Sequence, residues 1–271
     1  MSVGKPNSRF LVPPLLLLLL MWPARGNTQA SLAPAVVGSR LDLTQVLDKM
    51  IEKNAERADA LQKYQGRRYY SLVYTGFPDS FQGEMVVDMT YEAPGTKHFK
   101  VVSQSGSQWI IDRVLKRLLD AELESMDEEN RQRLALNASN YEFSGLEHHD
   151  APDHCSYVVA VEPKVPSKLL YRGRIWLDSQ DFAVCRIEAK PAKNPSFWIK
   201  NTEIHYFYTK IGDFWLPASN ESVSLIRGGG RAVLTIKYQN YEILAARALK
   251  PSDEGPTATS LALPIPVDRA D

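Results

Sequence analysis

The chain has 271 residues, and Lys+Arg and Asp+Glu both number 32, so no net charge steers it toward nucleic acid or an anionic surface. No basic stripe with interleaved aromatics stands out, which argues further against nucleic acid as a partner.

The first thirty residues read as an address. Lys5 and Arg9 precede an apolar run from Phe10 to Trp22 that includes six consecutive leucines, Leu15 to Leu20. Pro13-Pro14 interrupts it, and the run is short of the about 20 residues a membrane span needs. Residues 1–30 are therefore expected to be a secretory signal peptide, cleaved near Thr28-Gln29-Ala30 or Ala24-Arg25-Gly26, with an uncleaved anchor as the alternative. No cysteine near the cleavage region offers a lipid anchor, so the expectation is a soluble, monomeric periplasmic protein. At the other end, residues 246–271 carry Pro251, Pro256, Pro264 and Pro266 among Ala, Ser and charge. That composition buries too little apolar surface to offset its ordering entropy and predicts a disordered tail. Residues 40–245 remain, enough for one domain.

In chain order, the first element is a helix over Leu43 to Tyr64. Leu43, Val46, Leu47, Met50 and Ile51 recur at helical steps, Asp42 is the N-cap candidate and Gly66 stands past the end. Strands follow at 67–77, 82–92 and 97–105. A second helical block runs over 112–136, with Val114, Leu115, Leu118 and Leu119 as its apolar stripe and a shorter helix starting at Asp127-Glu128-Glu129. Strands at 140–146, 155–162, 168–178, 182–189, 197–211, 214–226 and 231–243 complete the series. Tight connections between most of them imply antiparallel neighbours. About ten to eleven long strands predict a sheet that curls into an incomplete barrel, with the helical segments as a lid over its concave face; the class is α+β. Met85, Val87, Met89 and Tyr91 share one face, as do Leu169, Tyr171, Ile175 and Leu177 opposite Arg172, Arg174 and Asp178.

Between two strands stands KPAKNPSFWIK, Lys190 to Lys200. Pro191 and Pro195 lack a backbone donor and do not fit inside a central ladder, so they are expected to turn the chain while Phe197 and Trp198 anchor the next strand. A partner-binding lip of Lys193, Phe197, Trp198 and Lys200, with Lys190 beside it, is the alternative. His148, His149, Asp150, Asp153, His154 and Cys155 are the candidate metal ligands, set against a solvated turn, which is the preferred reading; no metal or other cofactor is expected. Oxidising conditions favour a bridge between Cys155 and Cys185. In a simple meander, however, a strand lies between them, and two spacings of about 9–10 Å exceed the roughly 7 Å limit for a disulfide. Two free, mostly buried thiols are the preferred expectation. No Gly-x-Ser-x-Gly, His-Glu-x-x-His or phosphate loop is present, and no enzymatic activity is expected.

The motifs in YRGRIWLDSQDFAVCRIEAKPAKNPSFWIK, Tyr171 to Lys200, followed by FWLPASNES, Phe214 to Ser222, resemble a secreted branch of the bacterial outer-membrane lipoprotein-sorting family, the LolA-like proteins. YEAPGTKHFKVVSQSGS, Tyr91 to Ser107, and NYEFSGLE, Asn140 to Glu147, extend the likeness more loosely. The resemblance implies a LolA-, LolB- or RseB-like half-barrel closed by helices, whose cavity holds acyl chains or another apolar ligand. The gating arginine and aromatics of the classical carriers have no matching motif here, and the KPAKNPSFW insertion is foreign to those carriers.

The hydrophobic interior is then the candidate site. Leu47 and Met50 on the first helix, Met85, Val87 and Met89 on the sheet, Leu115, Leu118 and Leu119 on the second helix, and Tyr171, Ile175 and Leu177 are expected to line a cavity or to fill a core. The leading expectation is an envelope carrier of lipid or lipoprotein acyl chains, exchanging with a membrane-bound donor or acceptor protein. A sensor or regulatory module of the same fold and a ligand-free structural domain are the alternatives.

Overall fold

The structure, a computed structural model, describes residues 41–249. The expected signal peptide and the tail from residue 250 lie outside the described residues. Ten antiparallel strands form one open sheet in the order β3-β2-β1-β10-β9-β8-β7-β6-β5-β4. They are β1 Leu61–Gly76, β2 Phe81–Glu92, β3 Thr96–Gly106, β4 Tyr141–His148, β5 Cys155–Pro163, β6 Tyr171–Asp178, β7 Val184–Pro191, β8 Ile199–Ile211, β9 Phe214–Ile226 and β10 Gly230–Ala246. Two runs of consecutive neighbours, β1–β3 and β4–β10, are joined by the β1–β10 ladder, from Leu61 opposite Ala246 to Gly76 opposite Gly230. β3 and β4 are the free edges.

Helix α1, Leu43–Ala60, begins as the sequence predicts: the Asp42 carboxylate accepts from the Gln45 backbone N–H and the Gln45 side chain accepts from the Asp42 N–H, each at 2.9 Å. It ends earlier than the predicted Tyr64. From Leu61 the backbone is extended and enters the ladder with β10, because Tyr64 gains a buried place beside Met89 on the sheet's inner face. Gly66 serves that strand instead of capping the helix: a Cβ there would meet the Tyr241 ring at 2.9 Å.

The second helical block starts before the predicted Asp112. It comprises α2 Gln108–Ile110, a π-helical turn Ile111–Leu115, α3 Lys116–Ser125 and, after a break, α4 Glu128–Leu134. Ile111, Leu115 and Leu119 are buried at steps of four, which drift around a 3.6-residue helix. The wider π turn absorbs that drift and keeps all three against the sheet.

The helices do not make one lid. Val46 and Met50 of α1 pack on Tyr141, Val159, Ile175, Leu177 and Ile187, over β4 to β7. Ile110, Ile111, Leu115 and Leu119 pack on Tyr70, Leu72, Met85, Val87 and Ile236, over β1, β2 and β10. A third cluster joins Ala60, Tyr64, Met89, Phe214 and Leu216. The result is a pad over each flank of the inner face.

Two face assignments need correction. Leu169 lies in the loop before β6 and is exposed, because the Ser167 hydroxyl accepts from the Leu169 and Leu170 N–H groups and the turn buries Leu170 instead. Asp178, expected outside, is buried: its carboxylate accepts from the Gln180 and Asp181 N–H groups at 2.9 and 2.6 Å and shapes the β6–β7 turn.

The cysteines also differ from expectation. Cys155 and Cys185 form a disulfide with Cα atoms 6.1 Å apart, although β6 lies between their strands. A register shift between Cys155 and Tyr157 on β5 and another between Trp176 and Leu177 on β6 fall at this end of the sheet. These irregularities bring the outer strands together across the end of β6, where the two regular spacings of a flat ladder no longer apply.

Candidate functional site

The eleven proposed lining residues are not brought together around one hollow. Leu47, Met50, Tyr171, Ile175 and Leu177 belong to the layer under α1. Met85, Val87, Leu115, Leu118 and Leu119 belong to the layer under the π turn and α3. Met89 sits in the third cluster. Met50, Met85, Val87, Met89, Leu115, Ile175 and Leu177 are buried, so both layers are packed with side chains.

Open space lies beside the first pad, at the C-terminal end of α1. A cleft of about 340 Å³ separates the last turns of α1 from β7, β8 and β9. Leu61, Leu136, Val184, Ile187 and Phe214 give it an apolar wall, and Tyr171 and Tyr208 present their rings to it. Arg57 and Asn54 stand at its polar side, with the Arg57 guanidinium donating to the Asp181 carbonyl at 2.9 Å and to Asn54 Oδ1 at 2.8 Å. Asp181 is already neutralised: its carboxylate accepts from the Trp215 indole at 2.8 Å and pairs with Lys210 at 2.6 Å. Burial pulls the Arg57 pKa down against the pull of Asp181, yet an arginine so placed keeps its proton at neutral pH. An apolar slot with a cation at its side suits an amphiphile with an anionic head.

Beyond Tyr208, the inner face of β8 continues through Tyr206, opposite Asn220 of β9. Tyr206, Tyr208 and Tyr238 are half-buried. Burial pushes all three hydroxyls above the ordinary tyrosine value, and Tyr206 and Tyr238 are raised further by the nearby Glu122 carboxylate. Tyr206 lies three strands from β1, yet it feels Glu122, Tyr70 and Arg68 of the opposite flank. Met89 of β2 and Leu216 of β9, three strands apart, share one buried cluster, so the inner face is concave, and its tyrosines are protonated donors at neutral pH.

Sequence reasoning missed the ionic centre of this face. Arg68 is buried, stacked over Phe99 at 5.2 Å and Tyr238 at 5.1 Å, and it grips Glu122 of α3. Lys97 reaches the same carboxylate at 2.5 Å. The signal was present: Arg67 and Arg68 are adjacent in a strand, so the period of two must send one of them inward. Arg67 takes the outer face, where it pairs with Asp88.

No protein-family model matches the chain, and no curated protein does either. Solved structures are similar to it. A LolA-superfamily protein from Nitrosomonas europaea is 11% identical, with a TM-score of 0.35, over 75% of this chain and 94% of that one. An outer membrane lipoprotein-sorting protein domain from Vibrio parahaemolyticus is 12% identical, TM-score 0.34, over 73% and 92%. MucB in the MucA/MucB complex of Pseudomonas aeruginosa is more distant, 11% identical with TM-score 0.25, over 73% and 100%.

The KPAKNPSFW stretch turns the chain as predicted, with Pro191 the last residue of β7. Phe197 and Trp198 do not anchor β8 by burial; both stand exposed, packed edge to face at 5.6 Å. The strand is held instead by its backbone, where the Arg227 N–H donates to the Trp198 carbonyl at 2.8 Å and Ile199 pairs with Ile226. Around His149, among the described residues, no group of three His, Cys, Asp or Glu side chains is placed to hold a metal, and Cys155 is committed to its disulfide. No helix among the described residues is long and apolar enough to cross a membrane.

Proposed function

We propose that the chain is an envelope binding module that shelters an acyl chain, from a lipid or a lipoprotein, in the cleft between α1 and strands β7 to β9. The observation that carries this reading is the combination of an apolar wall, Leu61, Leu136, Val184, Ile187 and Phe214, with Arg57 at its side. The cleft volume lies within the about 300–1,000 Å³ of small-molecule sites. Each buried methylene contributes about 0.8 kcal/mol, so part of an ordinary acyl chain is enough for reversible holding. Arg57 then faces the head group. The packed layers under the pads are scaffold in this reading, and the concave tyrosine-lined face beyond Tyr208 offers the rest of the guest its path. The motif likeness to lipoprotein-sorting proteins supports the same choice of guest.

The test is titration of the secreted protein with a fluorescent long-chain fatty acid, beside native mass spectrometry of protein taken from its own envelope. The expected result is saturable binding of one probe per chain, lost when Val184→Trp fills the cleft. No saturable binding, together with protein that carries no lipid, overturns the proposal.

A further inference from the structure

The apolar side chains that stand furthest into solvent all sit at one end of the sheet. Phe77, Trp109, Val165, Leu169, Phe197 and Trp198 are 66–85% exposed, whereas every other exposed large apolar side chain among the described residues is at most 48% exposed. Antiparallel register fixes their common position. Gly76 pairs with Gly230, Gly83 with Gly106, Ile199 with Ile226 and Tyr171 with Pro191, so the chain segments following β1, β3, β5, β7 and β9 leave from the same rim.

That rim is held in place. The Ala192 N–H donates to the Leu170 carbonyl at 2.8 Å and the Lys193 N–H to the Ser167 carbonyl at 3.1 Å, which joins the β5–β6 and β7–β8 loops. The Arg227–Trp198 backbone bond joins the β7–β8 loop to the β9–β10 turn, and the Arg227 guanidinium lies over the Phe197 ring at 5.0 Å. Aromatic side chains on so braced a backbone are presented to solvent by the fold.

The β5–β6, β7–β8 and β9–β10 loops make most of this rim basic, while the β1–β2 loop adds Asp79 and the segment after β3 adds Asp112. Residues 163–171, 191–200 and 226–231 contain Lys164, Lys168, Lys193, Lys200, Arg227 and Arg231 and no acidic residue. None of these six cations is ion-paired among the described residues; Lys164 donates to the Ala138 carbonyl. The loops of the opposite rim hold Asp150, Asp153, Asp181 and Asp213. The zero net charge, which argued against an anionic surface at the level of composition, conceals a polarised distribution.

We propose that this rim docks the protein on an anionic lipid bilayer. Tryptophan and phenylalanine settle at the membrane–water boundary, and unpaired lysines and arginines beside them meet anionic head groups. The apolar groups are spread along a rim, one or two to a loop, which suits a yielding planar surface; a protein partner's anchor would call for a concave pocket. Docking needs no guest in the cleft, so it stands apart from the function proposed above. The inner face of β8 connects the two places, running from Tyr208 in the cleft toward Trp198 on the rim.

The experiment is co-sedimentation of the secreted chain with vesicles of equimolar phosphatidylcholine and phosphatidylglycerol, against phosphatidylcholine alone. Every variant keeps the same N-terminus, so a contribution from that segment is common to all. The expected result is a strong preference for the phosphatidylglycerol vesicles that fades as salt rises. Phe197→Ser/Trp198→Ser should weaken binding by about tenfold or more. Lys193→Gln/Lys200→Gln/Arg227→Gln should cost about a hundredfold on the anionic vesicles and little on the neutral ones. Val102→Ser, an exposed apolar side chain on edge strand β3, should leave binding unchanged. All are surface changes, and unchanged melting temperatures verify the fold. Absence of wild-type binding at low salt, rim variants that bind like wild type, equal loss with Val102→Ser, or binding to an envelope protein in place of vesicles each overturns the proposal. Fatty-acid titration of the rim variants separates this failure from failure of the cleft reading, because the cleft contains none of the substituted residues.

Discussion

Arg68 on β1 and Glu122 on α3 form a two-pronged ion pair, Nη1 to Oε2 at 2.6 Å and Nη2 to Oε1 at 3.1 Å, beneath the second helical pad. With Lys97 as a second cation on Glu122, the pair bonds the pad to the sheet at a point where its neighbours are apolar or aromatic. Glu122→Gln leaves the buried guanidinium without its counter-charge. Loss of about 3 kcal/mol is expected, at the low end for a broken buried pair because Glu122 retains some solvent contact. Urea denaturation of the variant beside wild type measures it, and a loss under about 1 kcal/mol would mean that the pad does not depend on this bond.

The same carboxyl makes stability depend on pH. Burial alone would raise the Glu122 pKa, but the hydrogen bonds and charges of Arg68 and Lys97 outweigh it and hold the carboxyl below the usual glutamate value. A folded-state pKa that is depressed contributes stability above the unfolded value, about 4.3, and that contribution is lost as pH falls through the folded value. Wild type should therefore lose stability more steeply than Glu122→Gln below about pH 4.3. Parallel melting-temperature curves from neutral pH to that acidic window would refute the assignment.

Gly173 in β6 has φ +155, and a Cβ built on it would clash with the Glu188 carbonyl and approach the Ala189 Cα to 2.7 Å. The backbones of β6 and β7 meet too closely here for any side chain. Gly173→Ala is expected to cost about 3 kcal/mol or more and to separate the two strands locally. Hydrogen exchange at Ala189 and its neighbours, together with the denaturation midpoint, checks both parts; a variant as stable as wild type contradicts the close approach.

The alternation that made β2 legible, Met85, Val87 and Met89 against Glu84 and Asp88, works because one face is buried and the other solvated. β9 was legible to its last residue for a different reason, since turn signals at Gly212-Asp213 and Gly228-Gly229-Gly230 bracket it. The end of α1 was not, because a local pattern of alanines and leucine says nothing of the β10 ladder that claims Leu61 to Tyr64. Nor was the cleft: Leu61, Val184 and Phe214 come from separate elements, and whether they line a space depends on how α1 sits over the sheet. Residue types marked the apolar interior, while volumes divided it into packed layers and open slot.

The Cys155–Cys185 bridge closes a segment with a sequence separation of 30 that includes β6 and both of its turns. Constraining a loop of that length in the unfolded chain stabilises by about 3–4 kcal/mol. Cys155→Ser/Cys185→Ser should lose about that amount, and dithiothreitol should lower the melting temperature of wild type but not of the double variant. Alkylation without reductant should find no thiol in protein purified without reductant. Two modified cysteines per chain would return the residues to the free, buried state that a regular ladder implies.

Filling and lining can be separated by a crossed pair of variants. Met50 is fully buried under α1, so Met50→Ala removes core volume and should cost about 2–5 kcal/mol while fatty-acid affinity of the folded fraction changes by less than about twofold. Val184 lies half-buried on the cleft wall, where added bulk enters open space. Val184→Trp should cost about 1 kcal/mol, at the mild end of overpacking, and abolish fatty-acid binding. Fluorescence titration and denaturation of both variants decide the matter. If Met50→Ala abolishes binding and Val184→Trp does not, the guest enters the layer under α1 by displacing its side chains, and the cleft between the end of α1 and β7 to β9 is not its seat.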